Sequence, residues 1–184
     1  KELIALAKAR AGDLNYASSG SGTPAHLAGE LFKSMAGINI LHVPYKGSPP
    51  ALTSVLSGET SMLFSPLTIA VPHTKSGKLR ALGVTTAKRS KLVPELPTIG
   101  ESGLPGYEVT QWYGMQAPAG TPKDVIARIN GEIGKILAMP DIVEKLVLFG
   151  AEAAPSTPEF MTAYVKSEVE KWAKVVKASG AKAD

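Results

Sequence analysis

The sequence predicts an α/β fold on a mostly parallel, right-handed sheet, and two observations carry that prediction. Short apolar runs alternate with helical stretches through residues 14–86, joined by short loops, as in repeated strand-helix-strand units. The helices are also punctuated as helices should be, with hydroxyl caps, prolines at first positions and glycines at the ends.

Residues 1–10 (KELIALAKAR) open the chain as an amphipathic helix, with Leu3, Ile4 and Ala7 on one face and Gly12 as its C-terminal cap. A chain that begins inside a helix, without an initiator methionine, is expected to be part of a longer protein. Residues 14–17 read as a short strand, residues 18–22 as a glycine-rich loop, and Thr23 as an N-cap ahead of Pro24. The helix that follows is expected to bury Leu27, Leu31, Phe32 and Met35 and to stop at Gly37. A second strand covers residues 38–43. Residues 44–48 (PYKGS) then form a loop in which Ser48 caps a helix that starts at Pro49-Pro50 and ends at Gly58. Residues 61–64 are the third strand, residues 67–76 a short helix ended by Gly77, and residues 79–85 the fourth strand.

Between residues 88 and 106 the prolines Pro94, Pro97 and Pro105 and their neighbouring glycines interrupt every periodicity, so this stretch reads as a connector. Residues 107–116 (YEVTQWYGMQ) alternate like an aromatic-rich strand. Three helices follow, opened by Thr121-Pro122, by Pro140 and by Thr157-Pro158. Their apolar stripes, among them Val125, Ile129, Ile133 and Ile136, ask for a sheet that the tail does not contain. The chain is therefore expected to divide into an α/β lobe over residues 1–112 and a mostly helical segment of another lobe over residues 113–184.

Composition is that of an ordinary globular protein, 44% apolar and 20% charged. The net charge of +4 is spread along the chain with no basic run, so no nucleic-acid arm or membrane-surface helix is expected. With no cysteine there is no disulfide, thiol nucleophile or thiolate metal site. No apolar stretch approaches the ~20 residues needed to cross a bilayer.

In a parallel sheet, the loops leaving the C-terminal strand ends share one edge, and ligands bind there. That groups residues 18–23, 45–48, 65–68 and Thr85, a set rich in hydroxyls and amides, with one lysine and no acid. In the first of these loops, Gly20 and Gly22 permit positive φ and a close approach to a ligand. The first amides of the helix after Thr23 lack intrahelical partners at the positive end of its dipole. Such an end binds carboxylate or phosphate readily. The bland alternative is a glycine turn that merely joins strand to helix. Tyr45 and Lys46 either complete a neutralising set for a small anion or are a packed phenol and a solvated ammonium. Phe64, at a strand end, either walls the pocket or belongs to the core.

Other chemistries fare worse. Residues 20–25 (GSGTPA) fit G-x-G-x-x-A, but the ribose-binding acid expected about 20 residues later is replaced by HVPYK at residues 42–46. No Gly-Lys-Ser/Thr follows the turn to make a P-loop. His26, His42 and His73 have no metal-ligand spacing, and a hydrolase built on Ser21 and His26 lacks both a G-x-S-x-G elbow and an orienting carboxylate. No catalytic residue, metal or cofactor is expected.

Taken together, LNYASSGSGTPAHLAGELFKSMAGINILHVPYKG, GETSMLFSPL, GKLRALGVTTAKRS, ELPTIGESGLPGYEV and APAGTPKDVIARIN resemble the substrate-binding receptors of tripartite tricarboxylate transporters, the TctC or Bug family. The resemblance runs along essentially the whole chain. It implies a two-lobed Venus-flytrap receptor of the type II periplasmic-binding class, of which this chain holds one parallel-sheet lobe and the C-terminal helical part of the other. It also implies export to the periplasm by an upstream signal peptide, capture of a small carboxylate without chemistry or cofactor, and delivery to integral membrane permease subunits. An opposing glycine-rich loop would lie in an N-terminal part outside this sequence. Carried over by residue, the ligand loop falls on Ser18, Ser19, Gly20, Ser21, Gly22 and Thr23, with His26 just after it, and the HVPYKG loop adds Tyr45, Lys46 and Gly47. Where many relatives have an acid after the third strand this chain has Ser65, which favours a simple mono- or dicarboxylate over an ammonium-bearing ligand. The rival readings are an NAD(P)-binding Rossmann-type enzyme and the effector-binding domain of a LysR-type regulator.

Overall fold

Strand β1 (Asn15–Ser18) lies between β2 (Leu41–Pro44) and β3 (Met62–Leu63) in a parallel sheet ordered β2-β1-β3. The computed structural model describes residues 1–182. Tyr16 is in register with His42 on one side and Met62 on the other. Helix α2 (Pro24–Ala36) carries the chain from β1 out to β2, and α3 (Ser48–Leu56) carries it back past β1 to β3. Because the two crossovers run in opposite directions and each is right-handed, they cover opposite faces of the sheet.

The core forms on the α2 face. Tyr16 packs there with Ala28, Phe32 and Ala36 of α2, Ala7 of α1 (Glu2–Ala9), and Ile38, Ile40, Tyr107 and Val109 from the connecting segments. Thr23 caps α2 as expected, its hydroxyl accepting from His26 N at 3.4 Å, and Gly37 ends the helix in the left-handed region at φ 59°. The helix sits so low on the sheet that a Cβ at Gly29 would run into the Tyr16 ring.

Two buried phenols tie α2 down. Tyr16 Oη donates to Glu30 Oε1 at 2.6 Å, an oxygen that Lys33 Nζ also reaches at 2.9 Å, and Tyr107 Oη donates to Ala28 O at 2.9 Å. Burial holds both hydroxyls above the ordinary phenol range, and for Tyr16 the Glu30 carboxylate adds to the effect. A folded-state value above the unfolded one means stability is complete below the ordinary phenol value and is lost as pH rises beyond it. The melting temperature is therefore expected to fall as pH rises past about 10, with a shallower fall in Tyr107→Phe. Thermal melts across that range check this, and a flat profile contradicts it.

Several local expectations do not survive. Residues 79–85 and 107–116 are not strands. What remains is a single parallel bridge, Val84 with Thr98, plus Val109 N donating to Thr85 O at 2.8 Å. Pro94 and Pro97 cannot donate, and the chain turns at positive φ at Gly103 and Gly106, so no ladder extends beyond that point. Met35 is 37% exposed rather than buried. Gly47, at φ 104°, is the N-cap of α3, and Ser48 is the first helical residue. Thr121 donates to Pro118 O at 2.9 Å, leaving Pro122 in extended conformation as the N-cap of α5 (Lys123–Leu137). Arg10 ends α1, while Gly12 donates to Asn39 O at 3.0 Å.

The chain divides into two compact units: Lys1–Gln111 together with the chain from Trp172 on, and Trp112–Lys171. The first also contains α4 (Leu67–Lys75). The second contains α5, α6 (Pro140–Leu148) and most of α7 (Pro158–Ser179), with Trp112 edge-on to Tyr164 at 5.6 Å. Its apolar stripes stay open: Val125, Ile129, Ile136, Val143 and Val147 are each 38–46% exposed. The end of α7 thus groups with the first unit, whereas the sequence reading placed residues 113–184 in one segment. Among the described residues no helix is long and apolar enough to cross a membrane.

Candidate functional site

Between the end of β1 at Ser18 and the start of α2 at Pro24 the chain must reverse at the C-terminal edge of the sheet. Gly20 at φ 136° and Gly22 at φ 75° make the reversal possible, since side-chain-bearing residues rarely adopt either angle. Ser18, 1% exposed, is bound inside the turn: its hydroxyl lies 3.1 Å from Gly20 O, accepts Gly20 N–H at 3.2 Å, and sits 2.6 Å from His42 Nε2. Thr23 Oγ1 donates to Gly20 O at 2.7 Å. The loop after β2 is stitched to the same turn, with Tyr45 N donating to Ser18 O at 3.0 Å and Gly47 N to Ser19 O at 3.1 Å.

With these bonds made, the N–H groups of Ser21 and Ala25 and the hydroxyls of Ser19 and Ser21 have no partner among the described residues. They stand on the turn and the first helical turn of α2, at the positive end of its dipole. Lys46, exposed on the adjoining loop, has no ion-pair partner among the described residues. The turn itself offers donors and no carboxylate, and Lys46 adds positive charge from the adjoining loop, which suits a small anion.

Not every predicted residue joins it. Tyr45 Oη donates to Glu59 Oε1 at 3.0 Å, so the phenol is engaged elsewhere. Phe64 packs edge-on to Tyr16 and Phe32 at 6.1 and 6.0 Å and is part of the core rim. Ser65 Oγ turns back to Pro66 O at 3.2 Å. Gly47 acts through its backbone, as cap and as donor to Ser19.

His26 is placed at the loop, but not as a simple ligand contact: its Nδ1 accepts Gly22 N–H at 3.0 Å. Its ring stacks on His42 at 3.8 Å and 7°, and His42 stacks on Tyr16 at 4.9 Å. Sequence reasoning left His42 as a strand residue. The available signal was parity: His42 shares the face of Ile40, which is buried in the core, and an imidazole on such a face requires polar partners. Ser21, His26 and His42 line a groove of about 430 Å³ with Glu30 and Lys33. Among the described residues no three His, Asp or Glu side chains are grouped as metal ligands would be.

Residues 1–181 match the model of the tripartite tricarboxylate transporter family receptor. The chain belongs to that receptor family. It is 42% identical over 176 residues to a UPF0065 protein of the tcbD-tcbE intergenic region from a Pseudomonas species, an alignment covering 95% of this chain and 52% of that protein. Among solved structures, this receptor chain resembles an R. palustris protein solved with adipate, at 38% identity and a TM-score of 0.84 over all of this chain and 61% of that one. It also resembles the periplasmic binding protein BugD, at 36% identity and a TM-score of 0.79 over 100% of this chain and 62% of that one. The receptor chain thus spans between 52% and 62% of these relatives' lengths. The α/β fold of the periplasmic-binding-protein type, expected from the sequence, is the fold these relatives share. Neither the dinucleotide-binding enzyme nor the regulator domain finds support.

Proposed function

We propose that this chain is the ligand-capturing portion of a periplasmic receptor that binds a small mono- or dicarboxylate and delivers it to the permease subunits of a tripartite tricarboxylate transporter. The observation that carries this reading is the turn at residues 18–23, which leaves amide and hydroxyl donors open at a helix N-terminus, while the nearby Glu30 carboxylate is engaged by Tyr16 and Lys33. The adipate in the 38% identical relative supports the ligand class.

One carboxylate docks on Ser19, Ser21 and the first amides of α2, and Lys46 supplies charge from the neighbouring loop. In this reading the second compact unit, Trp112–Lys171, belongs to the receptor's other lobe. Closure of the two lobes by a hinge produces the form the permease recognises.

Calorimetry on the full-length receptor with adipate, shorter dicarboxylates, monocarboxylates and a diamine of adipate's length tests this. Binding of at least one acid and no heat with the diamine is expected. Binding of the diamine alone, or of no acid in the series, contradicts it.

A further inference from the structure

We infer that His26 and His42 are positioning residues that act as a two-point brace, each holding one end of the 18–23 turn by a hydrogen bond in the shape that receives a carboxylate. This rests on reading that turn as the carboxylate cradle. His42 holds the strand end of the turn, with Nε2 at 2.6 Å from Ser18 Oγ, and His26 holds the helix end, with Nδ1 accepting Gly22 N–H at 3.0 Å. The two rings lie face to face at 3.8 Å and 7°, so neither imidazole can swing without displacing the other. Tyr16 backs the stack from β1 at 4.9 Å, and its hydroxyl is fixed by Glu30. The outcome is a glycine turn with two positive-φ residues held at each end by a side chain from a different element.

A brace of this kind acts through one lone pair. Gly22 N–H points at an imidazole acceptor, and Gly22 N is thereby held out of the ligand's way while Ser21 N–H, next to it, stays available. The neutral tautomer of His26 with its proton on Nε2 is the form that does this. Asparagine has an oxygen at the equivalent distance from Cα, so His26→Asn preserves the acceptor and removes the ring, whereas His26→Ala removes both.

The test uses the full-length receptor and two readouts. Hydrogen exchange at the Gly22 amide is expected to be slower in wild type and His26→Asn and about tenfold faster in His26→Ala, through the loss of one partly buried hydrogen bond. Calorimetry with adipate is expected to show affinity falling about tenfold in His26→Ala and His42→Ala and by no more than about threefold in His26→Asn. Equal losses in the Asn and Ala variants overturn the brace, because they would mean that only the ring's packing matters. Unchanged exchange at Gly22 in His26→Ala overturns it as well. The cradle reading fails separately: if Gly22→Asp leaves adipate affinity intact while wild type binds, the turn is not the binding site, and the brace has no ligand to serve.

Discussion

Gly29→Ala is expected to destabilise the chain by about 2 kcal/mol, one of the largest effects a single added methyl can have here. The new Cβ would run into the Tyr16 ring, with Cδ2 at 2.8 Å from it and other ring atoms nearer still. The ring cannot step aside. Tyr16 has no exposed surface, donates to Glu30 at 2.6 Å, and is stacked against His42. Helix α2 must instead lift from the sheet. Overpacking of that depth falls at the upper end of the usual range of about 1–3 kcal/mol or beyond it, against roughly 1 kcal/mol gained by alanine over glycine inside a helix. For a chain of this size that amounts to a melting temperature lower by about 4–8 °C. Gly131→Ala in α5, where no atom lies within 4 Å of the added Cβ, serves as the control and is expected to raise the melting temperature slightly. A Gly29→Ala chain that melts at or above wild type contradicts the close approach of α2 to β1.

Gly22→Asp is expected to weaken carboxylate binding about a hundredfold or more in the full-length receptor. Gly22 sits at φ 75°, so any side chain costs some strain, but strain alone is shared with neutral replacements. The aspartate places a carboxylate beside Ser21 N–H, competing for the donors and repelling the ligand. At about 5 Å and an effective dielectric near 20 that repulsion is roughly 3 kcal/mol, or about two powers of ten in affinity. Asparagine tolerates this backbone region and carries no charge, so Gly22→Asn is expected to lose less than about tenfold. Equal losses with Asp and Asn, read by calorimetry with adipate, contradict the electrostatic account.

How much of this was legible in the sequence differs by element. The β1-turn-α2 unit could be read closely, because Thr23, Pro24 and Gly37 each impose a local backbone geometry that does not depend on distant contacts. That β1, β2 and β3 run parallel followed from their short loops and helical crossovers, whereas their order in the sheet did not. The strands expected at 79–85 and 107–116 failed because alternation states only a preference. Whether a ladder forms depends on a partner that can donate, and the facing connector is broken by Pro94 and Pro97. At the site, the loop residues were found because glycines and hydroxyls at a helix start carry their chemistry locally. Tyr45 and Phe64 were grouped with them by position along the sheet edge, but their side chains go to Glu59 and to the core, directions that position alone does not specify. His42 was missed for a related reason: its role exists only through the register that sets it beside Tyr16 and under His26.

The central claim is that residues 18–23 receive the ligand's carboxylate, and a crystal structure of the full-length receptor with the acid that calorimetry identifies tests it most directly. A carboxylate oxygen is expected within about 3 Å of Ser21 N–H or of the Ser19 or Ser21 hydroxyl, with the Gly22–His26 and Ser18–His42 bonds intact. An acid bound elsewhere, with no oxygen in hydrogen-bonding reach of that turn, contradicts it.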